Sequence, residues 1–217
     1  MRVVLFSKQV DDKFNKLNLE LKGYLEEHKE SIVYLSLEQT YNKSEYDKKL
    51  SYYRSLGIGY LDVLRIQDMD RDKIRKKILE YKYIHIPDVK LEEAVKSIGK
   101  FDLHGALKEF FNNGGTVIAE GEAGVLLSCN SKSYNLLVSQ NEEENFKALG
   151  ILNFDFIPHW NQIKNKLCGF IDCSKLNKGI SYAVSDGSGI IVNYDNIEFY
   201  GDIIKIENGD FKLFKGK

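Results

Sequence analysis

Proline is nearly missing from this chain, with two residues in 217. No Pro/Ser-rich stretch interrupts it, so nothing marks a linker, and residues 1–217 read as a single domain. Cysteine is sparse and odd in number: Cys129, Cys168 and Cys173. The last two have C-x4-C spacing with no second ligand pair nearby, too little for a zinc site, and free buried thiols in a reducing compartment are expected. Long apolar runs are absent; none nears the roughly 18 residues that span a bilayer. The opening run in "MRVVLFSKQVDDK" is too short for a signal sequence and meets charge at once. The expected location is the cytoplasm, with no membrane partner. Neither charge is in excess, with 31 Lys and Arg against 32 Asp and Glu. No basic field is left for nucleic acid, and interleaved charges such as "DRDKIRKK" coat solvated helix faces. Abundant Lys, Asn and Ile point to an AT-rich bacterial genome.

What is present is alternation of strand and helix patterns. Buried-strand runs occur at "RVVLF" (Arg2–Phe6), "SIVYLSL" (Ser31–Leu37), "YLDVLRI" (Tyr60–Ile66), "YIHI" (Tyr83–Ile86) and "TVIAE" (Thr116–Glu120). Between them lie helical patterns: a stripe of Phe14, Leu17, Leu21 and Leu25, then Ser44–Leu56, Asp70–Tyr81 and Leu103–Asn113. Repeated β-α units predict a three-layer α/β/α sandwich around a mostly parallel sheet with right-handed crossovers. The last third, Gly187–Phe214, has turn signals every few residues, and "ENGD" marks a hairpin. It predicts an antiparallel extension of the same sheet.

The most informative stretch is "GGTVIAEGEAGVLLS" (Gly114–Ser128), a strand running through a tight turn into a helix. Gly121 and Gly124 suit a crowded, strained turn. In an open parallel sheet such a turn lies at a strand's carboxyl end, where ligands bind. Glu122 is thereby placed at the mouth of a site. Hydrolases with a Gly-x-Ser-x-Gly turn put a nucleophilic serine there.

This elbow and the segment "LGILNFDFIPHWNQ" (Leu149–Gln162) together resemble the peptidase E family of aspartyl dipeptidases, in the class I glutamine-amidotransferase-like superfamily. "GEAG" stands where that family has Gly-x-Ser-Ala-Gly, "PHW" supplies His159 followed by Trp160, and the tail "EFYGDIIKIENGDFKLF" resembles its final hairpin. The resemblance implies a serine-type dipeptidase scaffold without cofactor, monomeric or homodimeric, with a small peptide or amino-acid-like ligand. Glu122 and His159 are then the catalytic positions, and Gly121, Ala123, Asp88 and Trp160 the ligand-binding ones.

Three departures follow from the same comparison. The serine is Glu122, and acyl transfer to a carboxylate would form an anhydride. The family's glycine-rich oxyanion turn is replaced by "IHIPDVKL", where Pro87 has no N–H and Asp88 brings negative charge. No clear aspartate stands in Leu127–Gln140, where the family's third triad member belongs.

Glu122 keeps two readings, a structural acid at a helix N-terminus or a partner of His159 that favours the protonated imidazole. Glu120, Glu122, Asp88 and His159 as an oxygen-rich metal site is a further alternative, although the expectation is no metal. His85 reads as a satisfied core or edge histidine, and His28 and His104 as helix residues with surface or capping roles. Three functions stay open: a catalytically degenerate peptidase E-like protein, a hydrolase with a changed mechanism using Glu122 and His159, and a structural or interaction protein.

Overall fold

The computed structural model describes residues 2–12, 14–28, 31–139, 148–194 and 196–217. Its strands are β1 (Arg2–Phe6), β2 (Ile32–Ser36), β3 (Leu61–Arg65), β4 (Tyr83–Ile86), β5 (Thr116–Glu120), β6 (Asp155–Ile157), β7 (Ile180–Val184), β8 (Gly189–Asn193), β9 (Asn196–Tyr200), β10 (Asp202–Glu207) and β11 (Asp210–Lys215). The main sheet runs β3-β2-β4-β5-β1-β8-β9, with the first five parallel and the last two antiparallel. Every residue of β2, β4 and β5 is buried, as expected of parallel strands covered on both faces.

Helices supply the two covers. α1 (Lys16–His28) and α2 (Lys43–Ser55) lay Leu17, Leu21, Leu25, Tyr52 and Tyr53 on one face, against Val4 and Phe6 of β1. α3 (Arg71–Leu79), α4 (Leu91–Phe101), α5 (Leu103–Asn112) and α6 (Glu122–Leu127) cover the other, against Val3 and Leu5. The short α7 (Lys132–Tyr134) and α8 (Trp160–Ile163), with α9 (Leu167–Asn177), complete the α-helices among the described residues. The fold is α/β, a mostly parallel sheet flanked by helices with a second, mostly antiparallel C-terminal sheet. Among the described residues no helix is long and apolar enough to cross a membrane.

Four sequence expectations are corrected. The thiols are not buried: Cys129 and Cys168 are exposed and Cys173 is half-buried. Phe14 does not belong to the buried stripe; it is 75% exposed. The side chain of Asn15 accepts the Asn18 N–H at 3.2 Å, so α1 opens after Phe14. α4, absent from the sequence reading, buries Leu91, Ala94, Ile98 and Phe101 at helical spacing. The C-terminal strands do not all extend one sheet. Only β8 and β9 do; β11-β10-β7-β6 form a second sheet in which β6 and β7 are parallel. The chain leaves the first sheet at Gly201, whose φ of 80° sits between β9 and β10. The "ENGD" signal does close the β10–β11 hairpin, with Asn208 and Gly209 at φ 52° and 81°, the pair a type I′ turn requires. Asp195 of the aromatic tail lies outside the described residues.

The strand-to-helix turn is crowded from two sides. A Cβ on Gly124 would lie 2.5 Å from Cδ1 of the fully buried Phe156 on β6. Gly124→Ala should therefore cost about 1–3 kcal/mol through overpacking. A lower denaturant midpoint with an unchanged slope would register it.

Candidate active site

The carboxyl ends of five parallel strands from both sheets converge. β1 ends at Ser7, β4 at Pro87-Asp88, β5 at Gly121, β6 at Pro158-His159 and β7 at Ser185-Asp186. The turn after β5 is strained at Gly121, with φ 56° and ψ −130°, a conformation glycine enters without steric cost. In a nucleophile elbow the residue on the strained turn is the nucleophile, and the N–H of the next residue serves the oxyanion. By backbone, then, Gly121 occupies the nucleophile position and Glu122, assigned there by the sequence match, comes one residue later.

Asp88 fills the space this leaves. A Cβ on Gly121 would meet Asp88 Oδ1 at 2.1 Å and its Cγ at 2.3 Å. Asp88 Oδ1 accepts the Glu122 N–H at 3.0 Å, and Oδ2 lies 3.3 Å from His159 Nε2. The other side of the imidazole meets Asp186, with Nδ1 2.9 Å from Oδ1. Asp186 is held in turn. Its Oδ1 accepts the Ser7 hydroxyl at 2.9 Å, its Oδ2 accepts Gln162 Nε2 at 3.0 Å and Asn161 Nδ2 at 3.3 Å, and its N–H donates to Asn161 Oδ1. Ser7 Oγ also accepts the His159 N–H at 2.7 Å, fixing a residue whose own φ is 54°.

An acid therefore orients His159, but it follows the histidine in sequence and does not lie in Leu127–Gln140 (Gln140 itself is outside the described residues). Sequence reading missed Asp186, Ser7, Asn161 and Gln162. A signal for the first was at hand: "SDGSG" is a turn directly after a strand, the same placement that singled out the elbow.

Glu122 points elsewhere. Its Oε2 accepts the Leu91 N–H at 2.6 Å and its Oε1 accepts the Tyr134 hydroxyl at 3.3 Å. Leu91 opens α4, where N–H groups lack helical partners, so the side chain ties α6 to α4. Burial raises the Glu122 carboxyl above its ordinary range, and nearby Asp88 adds to the rise. No hydrogen bond joins Glu122 to His159 among the described residues.

The remaining predicted positions separate. Ala123 is buried inside α6. Trp160 is 3% exposed with its ring edge-on to Phe170. Asp88 faces a cavity of about 460 Å³ that Lys8, Gln9, Lys49, Tyr52, Pro87 and Glu120 also line. At its floor buried Glu120 pairs with Lys49, and its Oε1 accepts the Gln9 N–H at 2.9 Å. With Glu120 and Glu122 so engaged, no group of three or more His, Cys, Asp and Glu among the described residues is arranged to hold a metal ion. His85 is fully buried in β4, 3.0 Å from the Tyr53 hydroxyl through Nδ1, and burial drives its pKa far down. His104 is exposed on α5; the His28 side chain lies outside the described residues.

This architecture defines a peptidase-like α/β fold. A solved peptidase from an acI-B1 actinobacterium is similar over 99% of this chain and 93% of its own, at TM-score 0.73 and 13% identity. A Listeria monocytogenes EGD-e protein provisionally assigned as peptidase E is similar over 91% and 96%, at TM-score 0.67 and 17% identity. At such identities the likeness shows the fold, which is peptidase E-like. No family model matches the chain, and no curated protein matches it in sequence.

The charge balance makes a direct prediction. Burial disfavours the charged His159, but hydrogen bonds and attraction from Asp88 and Asp186 outweigh it and raise its pKa to about 9. The folded value exceeds the ordinary 6.5, so the stabilisation is full below about pH 6.5 and disappears as pH rises through about 9. The stability advantage over His159→Gln should shrink across that window, and the imidazole NMR titration should move toward 6.5 in Asp186→Asn. Separately, Glu122→Ala uncaps α4 and should lower stability by about 0.5–2 kcal/mol, read by denaturant titration.

Proposed function

We propose that the chain is a peptidase E-like protein that has lost serine-type peptide hydrolysis and keeps its pocket for a small peptide or amino-acid-like ligand. The observation that carries the reading is the Asp88 carboxylate. It occupies the volume into which an elbow side chain would project, and it takes the Glu122 N–H that would otherwise face an oxyanion. Pro87 beside it has no N–H to offer. Losing one oxyanion donor alone costs a factor of about 10²–10³ in rate, and here the nucleophile is missing as well.

The cavity beside Asp88 supports the ligand class. Lysine and carboxylate side chains both line it, so a molecule bearing an ammonium and a carboxylate finds a counter-charge for each. His159 and Asp186 then serve to hold Asp88 and the pocket wall in place.

Two measurements test this reading. Amino-acid release from a panel of Asp-X dipeptides should be no faster with wild type than with His159→Ala. One of those dipeptides or its free amino acids should stabilise the protein, by about 1.4 kcal/mol at ten times Kd. For a chain of this size that is about 3–6 °C in Tm. Peptide turnover that His159→Ala abolishes would overturn the loss of hydrolysis. A flat melting temperature across the whole panel would overturn the ligand class.

A further inference from the structure

We propose that Asp88 is a carboxylate nucleophile toward saturated carbon, and that the site opens small polar epoxides through a covalent ester on Asp88. Four observations meet on this residue. Its carboxylate stands where the elbow nucleophile would stand, admitted by the absence of a side chain on Gly121. One oxygen, Oδ1, is held by the Glu122 N–H at 3.0 Å. The other, Oδ2, is 3.3 Å from a histidine that a second carboxylate orients through Nδ1 at 2.9 Å. The side chain is 45% exposed, unlike the nearly buried Glu120, and faces the 460 Å³ cavity.

The nucleophile decides the chemistry. A carboxylate attacking an amide would have to form an anhydride while expelling an amine, whereas attack on a strained sp³ carbon forms a stable ester. In the first step an electron pair of Asp88 Oδ2 forms a bond to an epoxide carbon. The ring C–O bond breaks with its pair on the ring oxygen. The resulting alkoxide receives the His159 proton, relayed by a water molecule. This leaves a neutral ester and a neutral imidazole that has lost one of its two anionic neighbours. In the second step His159 Nε2 takes a proton from water, whose oxygen attacks Asp88 Cγ. The developing charge falls on Oδ1, where the Glu122 N–H already points. Collapse breaks the bond between Cγ and Oδ2, which departs with the alkyl group, and that alkoxide takes the proton of the newly added hydroxyl, relayed by water, to leave as the diol. The carboxylate and imidazolium are restored, with one water consumed per epoxide opened.

Each oxygen has a defined origin, which makes the step testable with glycidol as the probe. A single turnover of wild type, with enzyme in excess in H₂¹⁸O, should give unlabelled glycerol and place one ¹⁸O in the peptide carrying Asp88. His159→Gln should accumulate the Asp88 ester, with release slowed about 10²-fold or more, and Asp88→Asn should form none. Exposed Cys129 and Cys168 report in the same digest that the probe has reacted. Cysteine adducts with Asp88 unmodified and no glycerol formed would overturn the proposal. So would ¹⁸O appearing directly in the first glycerol, or esters spread equally over other exposed carboxylates. The wild-type isotope result stands even if His159→Gln fails to fold. Failure here leaves dipeptide binding untouched, because that reading is tested by thermal shift without turnover.

Discussion

The site depends on one missing atom. Gly121 has no Cβ, and the space a Cβ would need holds the carboxylate of Asp88. Any other residue at 121 would carry the strain of φ 56°, ψ −130° and would also push Asp88 off the Glu122 N–H and away from His159. The elbow backbone and the His159–Asp186 pair are thus compatible with Asp88 only because the elbow itself is bare. The side chain that faces the imidazole comes from the turn after β4 and not from the turn after β5.

Charge explains why the surrounding residues are what they are. Two carboxylates flank one imidazolium, so the cluster carries an excess negative charge in a half-buried place, which is costly unless hydrogen bonds spread it. Ser7, Asn161 and Gln162 donate to Asp186, and their bonds together with His159 outweigh burial and hold its pKa below the ordinary range. Asp88 receives the Glu122 N–H. Glu122 is the third acid nearby; burial raises its pKa, and its oxygens are turned to Leu91 and Tyr134. Two neighbouring turns therefore carry acids with different surroundings, Glu122 after β5 tied to Leu91 and Tyr134 and Asp88 after β4 facing the cavity.

Much of the scaffold was legible in the sequence because it rests on local periodicity. Buried β-rich runs alternating with amphipathic stripes fixed the five parallel strands, and Asn208-Gly209 encoded its own hairpin. Asp88 was legible as an acid near the elbow through the resemblance, which sets "IHIPDVKL" where the family has its oxyanion turn. The partners of His159 were not, since they are set by tertiary register. Asp186 reaches the imidazole only because β7 lies parallel to β6 in a second sheet, and an antiparallel extension of one sheet would have carried it elsewhere. Glu122 shows the complementary failure. A motif match counts residues, whereas the elbow is defined by a backbone twist, and that twist falls at Gly121.

A carboxylate in an oxyanion pocket also separates binding from acyl transfer. While Asp88 holds the Glu122 N–H, a substrate carbonyl has no donor to meet at that point, so a peptide can lie in the cavity without being polarised for attack. The donor becomes useful only to a carbonyl that Asp88 itself supplies, which requires an ester on its other oxygen. The hydrogen bond that disables an external acyl group is the one that would stabilise charge on Oδ1 when that ester is cleaved. The proposed loss of peptide hydrolysis and the proposed chemistry at saturated carbon both rest on one contact, the 3.0 Å bond from Glu122 to Asp88.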